Sequence, residues 1–183
     1  MNRIARSTCI ACVGNELARD DGVGMRIGRI LMQVPLPPHI TIRFYPQVSL
    51  DLIDDLLGAG RFILCDATRT GRRPGTVTVL LWEHVAAFSR QPYCCHGVGL
   101  SDLVKIAAEL LPADRALNVH LVGIEAETTV EYGVALSRAV QAALPAGLRK
   151  VLELAGAPSG LVREAERIAR TSAEPCLLSA FGG

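Results

Sequence analysis

Two adjacent acids, Asp20 and Asp21, stand between glycines in the stretch "GNELARDDGVG" that covers residues 14–24. A third acid, Asp66, closes the apolar run "RFILC" at 61–65, and His96 follows Cys94 and Cys95 in "CCHGVG". Two carboxylates and one imidazole make a borderline oxygen and nitrogen ligand set, suited to nickel, zinc or iron with coordination positions left open. Each residue has a plainer role too. Asp20 is placed to cap the helix that follows, with Asp21 at its first position, where an acid is mildly favoured. Asp66 could cap its loop, and His96 alone in a loop says little. Phosphate chemistry fits poorly. The stretch lacks both G-x-G-x-x-G and G-K-[ST], and two acids at a helix start repel the anion that such a loop attracts. No serine sits in a nucleophile-elbow motif. A thiol nucleophile from Cys94 or Cys95 with His96 asks adjacent side chains for a geometry they rarely reach.

The elements that must position these groups alternate along the chain. "TCIACV" (8–13) is an apolar run ended by Gly14-Asn15. Helical spacing follows from Asp21 to about Gln33, with Val23, Ile27, Ile30 and Leu31 on one face. "ITIRFY" (40–45) alternates as a strand, and "SLDLIDDLLGA" (49–59) reads as a helix capped by Ser49. A buried strand at 61–65, a loop at 68–75 and a β-branched strand at 76–82 come next. A helix is expected at 99–111, a strand at 117–124 and a long helix at 133–155 that Pro145 must kink or break. This order predicts an α/β three-layer sandwich: a twisted, mostly parallel five-stranded sheet with helices on both faces. Residues 1–156 form the single domain, and 157–183 read as an appendage, partly disordered or docked, with an amphipathic stretch at 161–169. In such a sheet ligands bind at the carboxyl ends of the strands. The segment after the first strand (Asn15, Glu16, Asp20, Asp21), the strand tip at Asp66 and the segment before the 99–111 helix (His96) all fall on that edge.

Composition narrows the class further. Half of the 183 residues are apolar, a fifth are charged and the formal net charge is +1. There is no basic field for nucleic acid or an anionic membrane, and no apolar run approaches the roughly 20 residues of a spanning helix. The expectation is a cytoplasmic monomer whose six cysteines stay reduced. Cys9 and Cys12 form a CxxC, but on a strand they point to opposite faces, and no second CxxC completes a zinc site.

Four blocks carry a family likeness. "VGNELARDDGVGMRI" resembles the opening motif of the [NiFe]-hydrogenase maturation endopeptidases: G-x-G-N, a spacer, Asp with Asp or Glu, then Gly-x-Gly. "FILCDATRTGRRPGTV" resembles their second block, "CCHGVGLSDLVKIA" the third, and "VHLVGIEAE" the strand that usually reads V-G-I-E-P. The likeness runs from about Cys9 to Leu154; Cys12 replaces the first glycine, Ala126 the proline and Cys95 the usual serine before the histidine. The resemblance implies an endopeptidase that removes the C-terminal extension of a [NiFe]-hydrogenase large-subunit precursor after nickel insertion, with the nickel carried by that substrate. It implies Asp21, Asp66 and His96 as the metal-contacting and catalytic triad, and Gln47, in "YPQVSLDLI", as a substrate contact. One carboxylate acting as general base on a water, or the metal polarising the scissile carbonyl, are both open. The alternative is a non-enzymatic nickel-binding or metal-sensing α/β protein, for which the Cys94-Cys95-His96 cluster speaks.

Overall fold

The computed structural model describes residues 7–81, 99–112 and 116–172. Five strands form one sheet: β1 (Thr8–Val13), β2 (Ile40–Tyr45), β3 (Arg61–Thr68), β4 (Val77–Leu81) and β5 (Val119–Glu125). Their spatial order is β2-β1-β3-β5-β4; all neighbours run parallel except β4, which pairs antiparallel with β5 at the edge. Among the described residues the helices are α1 (Val23–Leu31), α2 (Ile53–Gly58), α3 (Leu100–Leu110), α4 (Arg138–Leu154) and α5 (Ser159–Thr171).

Alternation along the strands builds two cores. Ile10 and Cys12 of β1, Ile63 and Cys65 of β3 and Val122 and Ile124 of β5 face α1, α4 and α5. Cys9, Ala11, Val13, Phe62, Leu64 and Val119 face the other way, towards α2 and α3. Central parallel strands are covered on both sides, which is why β1 and β3 read as unbroken apolar runs. Cys9, Cys12 and Cys65 are buried free thiols. Burial pushes the Cys9 thiol up to about 12, and the Cys12 contact together with burial raises Cys65. They pack as small apolar groups rather than react.

Several boundaries differ from the pattern in the sequence. α1 begins at Val23, after a 3-10 turn over Arg19–Gly22. α2 is likewise preceded by a 3-10 turn, Leu50–Leu52, and Ser49 Oγ accepts the Asp51 amide there at 3.4 Å. β3 runs on to Thr68, so Asp66 lies within the strand opposite Gly123 of β5 instead of beyond its tip. Pro145 does not end its helix, because α4 continues through it to Leu154. The missing amide and the ring clash cost ~3 kcal/mol in a free helix; the complete burial of Leu144, Leu148, Val151 and Leu152 outweighs that here. The amphipathic stretch after residue 157 forms α5, which lays Ala165, Ile168 and Ala169 against the α4 side of the core. Glu166 of α5 pairs with Arg149 of α4 at 2.5 Å. No described helix is long and apolar enough to cross a membrane.

Candidate active site

The chain leaves β1 through α1 to reach β2 on one side, then passes through α2 to β3 on the other side of β1. Because α1 and α2 lie on opposite faces, the sheet opens a crevice at the carboxyl ends of β1 and β3. Glycine lets the chain close tightly around it. A Cβ on Gly24 would stand 2.2 Å from the Val13 carbonyl oxygen and 2.3 Å from that of Cys65, so the start of α1 rests directly on both strand ends. Gly14 adopts φ 135°, the left-handed side that favours glycine, with the Asp21 carbonyl in the space a side chain would need.

Asp21 and Asp66 meet in this crevice. Asp21 Oδ2 accepts the Asn15 amide at 2.8 Å, and Asp66 Oδ1 accepts the amide of Ala67 at 2.7 Å. Burial raises the Asp21 carboxyl above its ordinary range, against the pull of the Asn15 amide. Burial and then the charge of Asp21 push Asp66 up to about 8, with the Ala67 amide opposing. A buried carboxyl raised further by a neighbouring carboxylate favours a retained proton or a nearby cation. Among the described residues no group of three or more His, Cys, Asp or Glu side chains is placed to hold a metal. His96, Cys94 and Cys95 lie outside the described residues. Gln47 is exposed in the bend after β2, on the same edge of the sheet.

Asp20 does something else. It caps nothing in α1, whose N-cap is Gly22 without a side-chain bond. Its carboxylate is completely buried and turned towards the segment after β5. Oδ2 accepts the amides of Glu127 and Thr128 at 2.8 and 3.3 Å, and Oδ1 accepts that of Ser137, the N-cap of α4, at 2.6 Å. Glu16 is also drawn away from the crevice. Arg29 of α1 grips it with two bonds of 2.6 and 2.5 Å and holds its carboxyl below the usual range.

Glu125, which ends β5, is a structural carboxylate outside the candidates named from the sequence. It accepts the Thr68 hydroxyl at 3.0 Å, the Thr70 amide and hydroxyl at 2.6 and 2.8 Å, and the amides of Gly71 and Arg72 at 2.8 and 3.1 Å. Burial pushes its carboxyl up, but the Thr70, Thr68 and Arg72 donors outweigh that and leave it below the usual range. The loop leaving β3 beside Asp66 is thereby wound around one anion. An acid directly after "LVGI", at the same strand edge as Asp66, was the available signal.

A family model described as hydrogenase maturation protease matches residues 47–154. The chain is similar to two hydrogenase expression/formation proteins HoxM. It is 28% identical to that of Cupriavidus necator over 144 residues, covering 78% of this chain and 70% of that protein. It is 28% identical to that of Azotobacter vinelandii over 172 residues, covering 90% and 82%. Among solved structures, the hydrogenase maturating endopeptidase HybD from E. coli aligns with a TM-score of 0.71 at 27% identity, covering 80% of this chain and 90% of that one. A hydrogenase 2 maturation peptidase from a Thaumarchaeota archaeon aligns with a TM-score of 0.60 at 28% identity, covering 84% and 100%.

Proposed function

This chain belongs to the hydrogenase maturation protease family, and on that premise we propose that it is the endopeptidase that cuts the C-terminal extension from a [NiFe]-hydrogenase large-subunit precursor once nickel is in place. The observation that carries this reading is the pairing of Asp21 with Asp66. Two carboxylates from separate segments are both raised by burial in one crevice, and the charge of Asp21 raises the proton affinity of Asp66 further. Such a pair is poised to exchange its proton for a divalent cation, because a cation removes the repulsion that the proton relieves.

In this proposal the nickel arrives as part of the substrate, already held by the precursor. Asp21 and Asp66 face it from the protease side, with His96 as the third contact, and so set the position of the tail. Gln47, exposed on the same edge, contacts the substrate. The hydrolytic step needs a base for the attacking water. Asp66, whose proton affinity already lies near neutral pH, is the better suited of the two carboxylates. Asp21, oriented by the Asn15 amide, is the positioning partner.

Mass spectrometry of the large-subunit precursor, incubated with and without this protein, tests the reading. A C-terminal fragment should be released only from nickel-loaded precursor. Asp21→Asn, Asp66→Asn and His96→Gln should keep the fold and lower processing by at least about 100-fold each, the scale of a lost acid–base group. Full processing by all three variants refutes the triad. Equal cleavage of nickel-free precursor refutes the metal-guided part.

A further inference from the structure

An apolar surface next to the carboxylate pair has no part in that chemistry. Leu17 is 57% exposed, Val130 76% and Tyr132 92%, with Val134 also open. Isolated exposed hydrophobes are ordinary; these four are displayed by two neighbouring loops that are bonded together. The Arg19 amide donates to the Gly133 carbonyl at 2.7 Å and the Gly133 amide to the Leu17 carbonyl at 2.8 Å. Ala18 and Gly133 form a parallel bridge, and Arg19 pairs with Glu131 at 2.6 Å. The Asp20 carboxylate holds the later loop at both ends, through Glu127 and Thr128 at one and Ser137 at the other. The apolar side chains therefore project from a fixed backbone, which lowers the ordering cost of binding.

We infer that the Leu17–Val130–Tyr132 surface docks the folded body of the precursor, by an apolar contact beside its nickel. The inference rests on the proposed protease reading for the identity of the partner. Continuity with the site supports it. The Leu17 amide donates to Asn15 Oδ1 at 3.0 Å, and the Asn15 amide donates to Asp21 Oδ2 at 2.8 Å, so a protein that brings its metal to the carboxylate pair comes up against this surface. The anatomy fits as well: a protruding tyrosine and aliphatic side chains with an ion pair beside them match the apolar centre and polar rim of an interface. Protruding side chains need a recess in a folded surface. An extended tail would instead take a groove or a strand edge.

The test is isothermal titration of nickel-loaded precursor into wild-type protein and into Val130→Ser/Tyr132→Ser, with Leu17→Ser as a second variant. Both sites are exposed, and denaturation midpoints serve to check that each variant is folded. Affinity should fall by at least about tenfold in each. In the processing assay KM should rise while kcat holds. Unchanged affinity in both variants overturns the inference, even where wild-type protein cleaves normally and the protease reading stands. Wild-type protein that binds the precursor and loses it on substitution, yet releases no fragment, supports the docking surface and sinks the protease reading. A wild-type dimer in sedimentation that both variants convert to monomer overturns the inference in favour of contact between copies of this chain.

Discussion

At the scale of single residues, two adjacent aspartates have opposite tasks. Asp21 stands half-buried in the crevice, while Asp20 is sealed beneath it as the acceptor for three amides from the segment after β5. Asp20→Ala leaves those donors in the interior without a partner. At about 1–3 kcal/mol for an unsatisfied buried group, and more where the lost acceptor was charged, urea denaturation should register a loss of at least about 2 kcal/mol. Asp66 behaves in the opposite sense. Its carboxyl is raised from 3.8 to about 8, so the folded protein holds a proton that the unfolded chain has released. Between those values stability falls as pH rises, because folding must take up that proton. Asp66→Asn removes this dependence. Without metal, its stability advantage over wild type should be small near pH 4 and grow steadily towards pH 8. A difference that stays flat across that range contradicts the shift.

Elements bring these residues together through close backbone approach. α1 starts on top of the ends of β1 and β3, and its two glycine contacts leave no room for a methyl group. Gly24→Ala forces the helix away from the Val13 and Cys65 carbonyls. Overpacking of this kind costs typically 1–3 kcal/mol, and the displaced turn carries Asp21 with it. The expected outcome is a folded but weakened protein whose processing falls far more than its denaturation midpoint. Equal activity in Gly24→Ala would mean that the 3-10 turn over Arg19–Gly22 keeps its place independently of α1. The loop after β3 has its own clamp in Glu125, whose five accepted bonds hold residues 68–72 in place beside Asp66.

Across the whole molecule, the carboxyl edge of the sheet carries the crevice, and the helical layers hold its two sides in register. α5 extends one of those layers. Ala165, Ile168 and Ala169 close the core over α4, and Glu166 binds Arg149 from a nearly buried position. Deleting residues 157–183 uncovers that side of α4 and α1. The truncated protein should bind a hydrophobic dye in its native state and unfold at lower urea, with the sheet intact by circular dichroism. A midpoint equal to that of the full chain would show that α5 adds nothing to the core.

The order of strands and helices was legible from the sequence because burial imposes periods of 2 and 3.6 on apolar residues, and periods are local. That order already placed Asp21 and Asp66 on one edge. Antiparallel β4, the prolongation of β3 past Asp66 and the passage of α4 through Pro145 were not legible, since each depends on what packs or pairs alongside. The division of labour between Asp20 and Asp21 was hidden for the same reason. In "RDDG" the two are chemically identical neighbours, and only amides more than a hundred positions later, folded beneath one of them, decide which carboxylate is consumed by structure and which stays in the crevice beside Asp66.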